Sequence, residues 1–401
     1  MSTTREIVVL SAVRTAIGGY GGSLKDVTPV DLAATCVRES VSRAGVDPAD
    51  VGHTVFGNVI HTEAQDMYLS RLASVKGGLP VETPAFTLNR LCGSGLQAIV
   101  SATQQIETGH CDIAVAGGAE NMSRSLYANT AMRFGARMMD STMIDMMVGA
   151  LTDPFDKVHM GITAENIAEK WGISREDQDA LAAESHRRAA AAWEAGHFKD
   201  QIVPVELKSR KGTTLFEKDE HFRSDVTLEG LAKMRPAFKK DGSVTAGNAS
   251  GINDAACAVV IAAAETAEAK GLKPMARLVG YSHAGCEPAY MGIGPVPAVK
   301  RLLDRTGLSI ADFDVLEVNE AFAAQALAVC RDLDLPMDKT NPNGSGISLG
   351  HPIGATGAIV TTKALHELVR NGGRYPLITM SIGGGPGIAA ASQRVYFALL
   401  S

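Results

Sequence analysis

The feature that most constrains this chain is an internal repeat. Residues 44–58, A-G-V-D-P-A-D-V-G-H-T-V-F-G-N, align without a gap on residues 306–320, T-G-L-S-I-A-D-F-D-V-L-E-V-N-E. Gly45, Ala49 and Asp50 fall on Gly307, Ala311 and Asp312, with the strand hydrophobics in phase. Further on, Ala98-Ile99-Val100 falls near Ala358-Ile359-Val360, and the apolar run 113–116 near 377–380. A duplicated unit explains this better than chance matching of short strand-turn patterns. Two equivalent halves packed about a pseudo-twofold axis bring equivalent strand ends to one cleft, where a site is expected.

The unit reads as α/β. A buried-strand run from Ile7 to Ala12 leads through a Gly-rich turn to an apolar-periodic helix over 30–44, then a strand over 51–59 and a helix over 67–76. With 401 residues, the chain exceeds the size of a single core, as a pair of halves requires. Hydrophobic residues at 45% and charged residues at 20% exclude a disordered or collagen-like chain. A net charge of -6 provides no basic field for nucleic acid or an anionic membrane, so an anionic ligand has to be held by local cations or helix N-termini. The longest apolar run, 255–264, falls well short of the ~20 residues that span a bilayer. Neither a signal peptide, a transit pattern nor a C-terminal peroxisomal tripeptide is read at the ends, so a cytoplasmic location is expected.

Between the halves, residues from about Asn121 to Thr245 have no counterpart and look inserted. A helix is expected over 175–195. Residues 208–225 read as a polar loop with Arg210, Lys211 and Arg223 available to phosphate. The insert carries Met132, Met138, Met139, Met143, Met146, Met147 and Met160, whose thioethers either line an adaptable acyl pocket or serve ordinary packing.

Six cysteines without C-x-x-C spacing suggest neither a disulfide framework nor a zinc site. Cys92, in N-R-L-C-G-S-G-L-Q-A-I, stands out. It precedes an expected helix, where the dipole and unpaired N–H groups would lower a thiol pKa from its reference of about 8.5. In the second half, N-P-N-G-S-G leads to L-G-H-P-I-G-A-T-G, and the repeat sets His351 almost where Cys92 lies in its own half. Facing helix starts suit a nucleophile and base pair. Asn319-Glu320-Ala321-Phe322 follows the strand 315–318, and Asn319 could orient a water. Met380-Ser381-Ile382-Gly383-Gly384-Gly385-Pro386-Gly387 offers backbone N–H groups to an oxyanion.

In order, N-R-L-C-G-S-G at Cys92, T-A-G-N-A-S-G at 245–251, N-E-A-F at Asn319 and the glycine-rich G-H-P motif at His351 resemble the thiolase superfamily. The likeness lies with its bacterial acetyl-CoA acetyltransferase and β-ketothiolase branch and covers essentially the whole chain. It implies a five-layered αβαβα fold of two duplicated halves (1–120 with 246–272, and 273–401) and an inserted loop domain (121–245) that binds CoA. It further implies a homotetramer built as a dimer of dimers. It assigns Cys92 as the acylated nucleophile, His351 as its base, Asn319 as the holder of a water in the oxyanion site, and the N–H groups of Cys92 and Gly383 as the partners of the acyl-enzyme oxygen. Leu151, His159, Met160, Arg223, Ala246, Ser250, Met291 and Phe322 match positions lining the tunnel for CoA. CoA and acyl-CoA enter as substrates, with no metal or tightly bound cofactor expected.

The chain departs from the family at Ser381, where the usual motif has the cysteine that removes the α-proton, and at Gly385-Pro386, where members often have Gly-Gln. A hydroxyl is a poor general base near neutrality, so condensation is expected to be slow. Three explanations fit: a substitution introduced to stall the reaction at the acyl-enzyme, a natural variant that tolerates serine, and a natural variant with changed chemistry. Ser381 also denies Cys92 a disulfide partner in the site. Short to medium 3-ketoacyl-CoA is the expected substrate range. The competing readings are an acyl-CoA hydrolase or C–C cleaving enzyme, in which another nucleophile relieves Cys92, and a weakly active acyl-CoA binding protein.

Overall fold

The computed structural model describes residues 5–395, so the expectations drawn from the first four and last six residues lie outside the described residues. The first half contains β1 (Ile7–Thr15), α1 (Pro29–Ala44), β2 (His53–Gly57), α2 (Leu69–Lys76), β3 (Ala85–Leu88), α3 (Ser94–Glu107) and β4 (Ile113–Asn121). The intervening segment holds α4 (Met160–Lys170), α5 (Arg175–Glu194) and the hairpin β5 (Val205–Ser209) and β6 (Gly212–Phe216). It is followed by β7 (Asn253–Ala263), β8 (Ala276–Gly285), α6 (Pro295–Thr306), β9 (Val315–Val318), α7 (Ala323–Asp332), α8 (Ile353–Asn371), β10 (Pro376–Ser381) and β11 (Pro386–Arg394).

The strands run in the order β9-β10-β11-β8-β1-β7-β4-β2-β3. About the β8/β1 junction that order is a palindrome, because β8, β11, β10 and β9 repeat β1, β7, β4 and β2. The two halves of this continuous sheet pair, among the described residues, where Val8 and Val9 meet Arg277 and Ala276. Helices α3 and α8 pack together between the sheets, α1 and α2 cover the outer face of one, and α6 covers that of the other with α7 beside it, giving the five layers expected. β4 and β7 are buried along their whole length, which explains their unbroken apolar runs of small and β-branched residues.

The repeat is visible in local detail. Helices α1 and α6 both end on a left-handed glycine, Gly45 at φ 66° and Gly307 at φ 72°. Each is followed by a capped 3₁₀ turn, with Asp47 accepting from the Ala49 N–H in one half and Ser309 pairing with Asp312 in the other. The central helices touch through glycines: a Cβ on Gly95 would lie 2.6 Å from the Ala358 nitrogen, and one on Gly357 2.2 Å from the Leu96 nitrogen.

The structure corrects several expected boundaries. The strand expected over 51–59 is confined to β2, and the helix expected over 67–76 begins as a 3₁₀ turn at Ala64–Tyr68 before α2. Residues 208–225 are not simply a polar loop, since β5 and β6 pair across Ser209 and Gly212 and their alternating polar side chains face solvent. The intervening segment is tied to β1 by a buried ion pair, Arg14 to Asp219 at 2.8 Å, with Asp219 also accepting from Ile17 N and Trp193 Nε1. None of the described helices is long and apolar enough to cross a membrane.

Candidate active site

Cys92 lies on a 3₁₀ turn, Leu91–Gly93, immediately before α3. Leu91 adopts φ 43°, a left-handed conformation costing a non-glycine residue about 1–3 kcal/mol, which turns the chain sharply into the nucleophile. Ser94 holds the turn by accepting from Arg90 N and donating to Leu91 O. The Cys92 side chain packs with Ile60, Met122 and Ile353.

The expected depression of the Cys92 thiol does not occur. Burial pushes it up to about 11; the N–H groups of Gly383 and of Cys92 itself oppose the rise, and the charge of Glu120 adds to it. The sulfur is enclosed by apolar side chains one turn short of the helix proper, so desolvation of the thiolate outweighs the helix terminus. Burial also lowers His351, to about 4. At neutral pH the pair therefore rests as a thiol and a neutral imidazole, the state in which His351 can accept a proton.

His351 sits two residues before α8. Its main-chain N–H donates to Asn253 Oδ1 at 2.9 Å, and its Nδ1 is 2.7 Å from Thr356 Oγ1. These contacts fix the ring, and Nε2 has no partner in the protein. Both amide atoms of Asn319 and the hydroxyl of Ser381 are likewise buried and unpaired. Such orphans carry a desolvation cost, so their clustering at one place marks a site built for something outside the chain.

The topology brings them together. β9 and β10 are parallel neighbours, and Asn319 and Ser381 emerge from the same end of the pair, with Asn319 N donating to Thr379 O. A Cβ on Gly346, in the turn leading to His351, would come within 2.9 Å of Asn319 Oδ1. A Cβ on Gly93 would come within 2.6 Å of Ile382 Cδ1, so the Cys92 turn abuts the last loop. That loop is closed by Ile382 N to Pro386 O and Gly385 N to Ile382 O, with Gly384 and Gly385 at φ 88° and 108°. The closure leaves the Gly383 N–H facing the Cys92 sulfur. Pro386 opens β11, a position a strand proline tolerates.

The residues expected to line the tunnel form two adjoining groups. Arg223 and Ala246 line an open cavity of about 560 Å³ together with His186, His221 and Tyr20. Met160, Met291 and Phe322 form one apolar cluster with Ala249 and Phe238. His159 stacks on Phe238 at 4.6 Å, and Ser250 N bonds Ala321 O at 2.9 Å. Leu151 O accepts from Met160 N, and the Met160 methyl lies 2.2 Å from the position of a Cβ on Gly383. Arg210 and Lys211 sit at the tip of the β5/β6 hairpin and do not line that cavity. Of the insert methionines, Met147 packs against the Cys92 cluster, while Met132, Met138, Met139, Met143 and Met146 are exposed on the chain.

Sequence reasoning missed Asn253, Thr356, Glu120 and the His186/His221 pair. Thr356 was visible, since i+5 from His351 within the G-H-P motif brings it back beside the ring. The others are joined only by the fold.

Comparison with known proteins gives the same picture. Residues 7–265 match the thiolase N-terminal domain and residues 272–394 the thiolase C-terminal domain. The chain is 62% identical over 393 residues to beta-ketothiolase BktB of Cupriavidus necator, covering 98% of this chain and 100% of that one. It is 49% identical over 391 residues to an acetyl-CoA acetyltransferase of Chromobacterium violaceum, covering 97% and 100%. The crystal structure of the Bacillus anthracis acetyl-CoA acetyltransferase matches with a TM-score of 0.97 at 46% identity, covering 98% and 100%. Human mitochondrial 3-ketoacyl-CoA thiolase in complex with CoA matches with a TM-score of 0.95 at 45% identity, covering 99% and 100%. A palindromic double sheet with a thiol and an imidazole at its centre, matched end to end by these relatives, shows that the chain belongs to the thiolase family.

Proposed function

We propose that the protein is an acyl-CoA C-acyltransferase that forms or thiolytically cleaves 3-ketoacyl-CoA through an acyl thioester on Cys92. The observation that carries this reading is the set of buried, unpaired polar atoms, His351 Nε2, Asn319 Oδ1 and Nδ2, and Ser381 Oγ, gathered around a thiol faced by the Gly383 N–H.

In the first half-reaction His351 Nε2 takes the Cys92 proton as sulfur attacks the acyl-CoA carbonyl, and the proton then passes to the departing CoA thiolate. The high resting position of the thiol makes this coupled transfer necessary, because a free thiolate is scarce at neutral pH. The Gly383 and Cys92 N–H groups receive the oxygen of the acyl-enzyme. Asn319 Nδ2 and His351 Nε2 serve the oxygen of the second thioester, Asn319 through a water. In the condensing direction the α-proton of acetyl-CoA is relayed through the Ser381 hydroxyl, the carbanion attacks the acyl-enzyme carbonyl, the bond from that carbon to Cys92 sulfur breaks, and the relayed proton ends on the released sulfur. Ser381 occupies the place of the base for that proton, and a hydroxyl supports this step weakly.

CoA enters by the cavity bearing Arg223 and Ala246, its pantetheine passing the Met160, Met291 and Phe322 cluster. Residues 121–245 act as the CoA-binding insert between halves spanning 1–120 with 246–272 and 273–401. The run of exposed apolar side chains between Leu126 and Phe155 supports assembly as a homotetramer. The enzyme works in the cytoplasm on short to medium chains.

Incubation with acetoacetyl-CoA and CoA tests this function. Formation of acetyl-CoA, abolished in Cys92→Ala, is the expected result. Release of CoA from acetyl-CoA alone, at a rate matching any thiolysis, would replace this reading with a hydrolase.

A further inference from the structure

Glu120 belongs to none of the four sequence motifs, yet it holds the two halves together at the site. It is the penultimate residue of β4 and fully buried. Its Oε1 accepts from Asn58 Nδ2 and Ile60 N, both at 3.1 Å, and its Oε2 from Val59 N at 3.1 Å and Gly354 N at 2.8 Å. Three donors lie on the turn after β2 in the first half. The fourth lies in the first turn of α8 in the second half, three residues beyond His351.

The bonded residues form the walls of the nucleophile's pocket. Ile60 packs on Cys92, and so does Ile353, the neighbour of Gly354. The approach at this point leaves no slack. A Cβ on Gly354 would lie 2.5 Å from Glu120 Oε2, while the Gly354 carbonyl oxygen is 2.2, 2.9 and 3.2 Å from the Cβ positions of Gly118, Gly57 and Gly95. A four-fold N–H cradle demands a side chain that only accepts, and a carboxylate at the start of the 19-residue helix α8 meets that demand, although burial raises Glu120 to about 8 against the pull of the Ile60, Val59 and Gly354 N–H groups, so that its charge is complete only above that pH. Glutamine would turn an NH₂ toward donors. Burial of an acid is costly, and a purely structural contact could use a group that never ionises, so the choice of a carboxyl group asks for a reason. It also bears on the thiol, whose rise it reinforces.

We propose that Glu120 is a positioning residue for acyl transfer, clasping the 58–60 turn to the start of α8 and thereby setting the separation of Cys92 from His351. The inference rests on the reading of Cys92 as the acylated nucleophile.

Two variants separate geometry from charge. Glu120→Gln removes the charge and two acceptor positions, while Asn58→Ala removes one donor and keeps the charge. Single-turnover acetylation by acetyl-CoA, followed by intact-protein mass, is expected to slow about 10²-fold in Glu120→Gln, the scale of a misplaced reacting group. In Asn58→Ala the loss is about 10-fold, the scale of one hydrogen bond. The concentration of acetyl-CoA giving half-maximal rate stays within about threefold of wild type in both, because no substrate contact is removed. Alkylation of Cys92 by iodoacetamide as a function of pH adds a second readout, because loosened packing would relieve the burial of the thiol and lower the midpoint in both variants, whereas loss of the neighbouring charge lowers it in Glu120→Gln alone. Its midpoint falls in Glu120→Gln, where a neighbouring negative charge is gone, and does not fall in Asn58→Ala.

Wild-type acetylation rates in both variants, or a Glu120→Gln midpoint that stays or rises, overturn the proposal. If Glu120→Gln does not fold, the Asn58→Ala rate decides. A wild-type protein that takes up no acetyl group would refute the acyl-enzyme reading instead, and the alkylation profiles would still report on the clasp.

Discussion

The two halves share one frame and divide the chemistry between them unequally. In the first half β2 pairs with β4 from His53 and Ala114 onward; in the second, β9 pairs with β10 from Val315 and Pro376 onward. In this register Gly57 corresponds to Asn319 and Ala119 to Ser381. Where the first half has an alanine and a glycine, Gly57, that lets α8 come close, the second has two side chains with unpaired polar atoms. One position further, Glu120 corresponds to Ile382, so the clasp too is found in one half alone. Duplication supplies a symmetric scaffold whose strand ends converge, and small side chains on one side make room for reactive ones on the other.

This division can be broken first at the nucleophile. Cys92→Ala should reduce acyl transfer by about 10⁴-fold or more in a turnover assay, since none of the other described cysteines belongs to the cluster around Cys92. Removing the base from the other half, as His351→Asn, should slow Cys92 acylation by about 10²–10⁴-fold, the usual contribution of a positioned proton acceptor. Its pH profile should lose the acid limb that a neutral imidazole with a pKa of about 4 imposes.

The second-half position most altered from the family is the sharper test. Ser381→Cys should raise thiolysis and condensation about 10²-fold, leaving the rate of Cys92 acylation unchanged. Equal steady-state rates in the two proteins would show that Ser381 is not the weak point. Arg223→Ala, at the cavity and away from both half-sites, should raise the apparent KM for acyl-CoA about 10-fold with kcat retained, the effect of losing one charge-assisted contact to phosphate.

The smallest effect concerns stability. Burial keeps His351 neutral in the folded chain, whereas an unfolded histidine titrates near its reference of about 6.5. Between those values the unfolded state binds the extra proton, so the contribution of His351 is present above about pH 6.5 and is lost as pH falls toward about 4, by up to about 3 kcal/mol. Denaturant midpoints measured across that range should decline less steeply in His351→Asn than in wild type.

Much of the design was legible in the residues. The repeat, the strand and helix sequence and the Cys92, His351, Asn319 and 381–387 loops all lie in contiguous motifs, and contiguous motifs survive translation into structure. The sign of the thiol shift was not legible, because a helix start is visible in sequence while the apolar enclosure by Ile60, Met122 and Ile353 comes from three distant segments. Glu120 and Asn253 were missed for the same reason: their partners, Gly354 and the His351 N–H, are supplied by the other half. The β5/β6 hairpin was read as a loop because its side chains are mostly polar and exposed, a pattern shared by both structures.

Acyl loading of Cys92 with His351 as its base is the central claim, and intact-protein mass spectrometry after addition of acetyl-CoA tests it most directly. The expected result is the gain of one acetyl group, mapped by peptide analysis to Cys92, absent in Cys92→Ala and strongly slowed in His351→Asn. An acetyl group that persists in Cys92→Ala, or a wild-type protein that gains none, would contradict it.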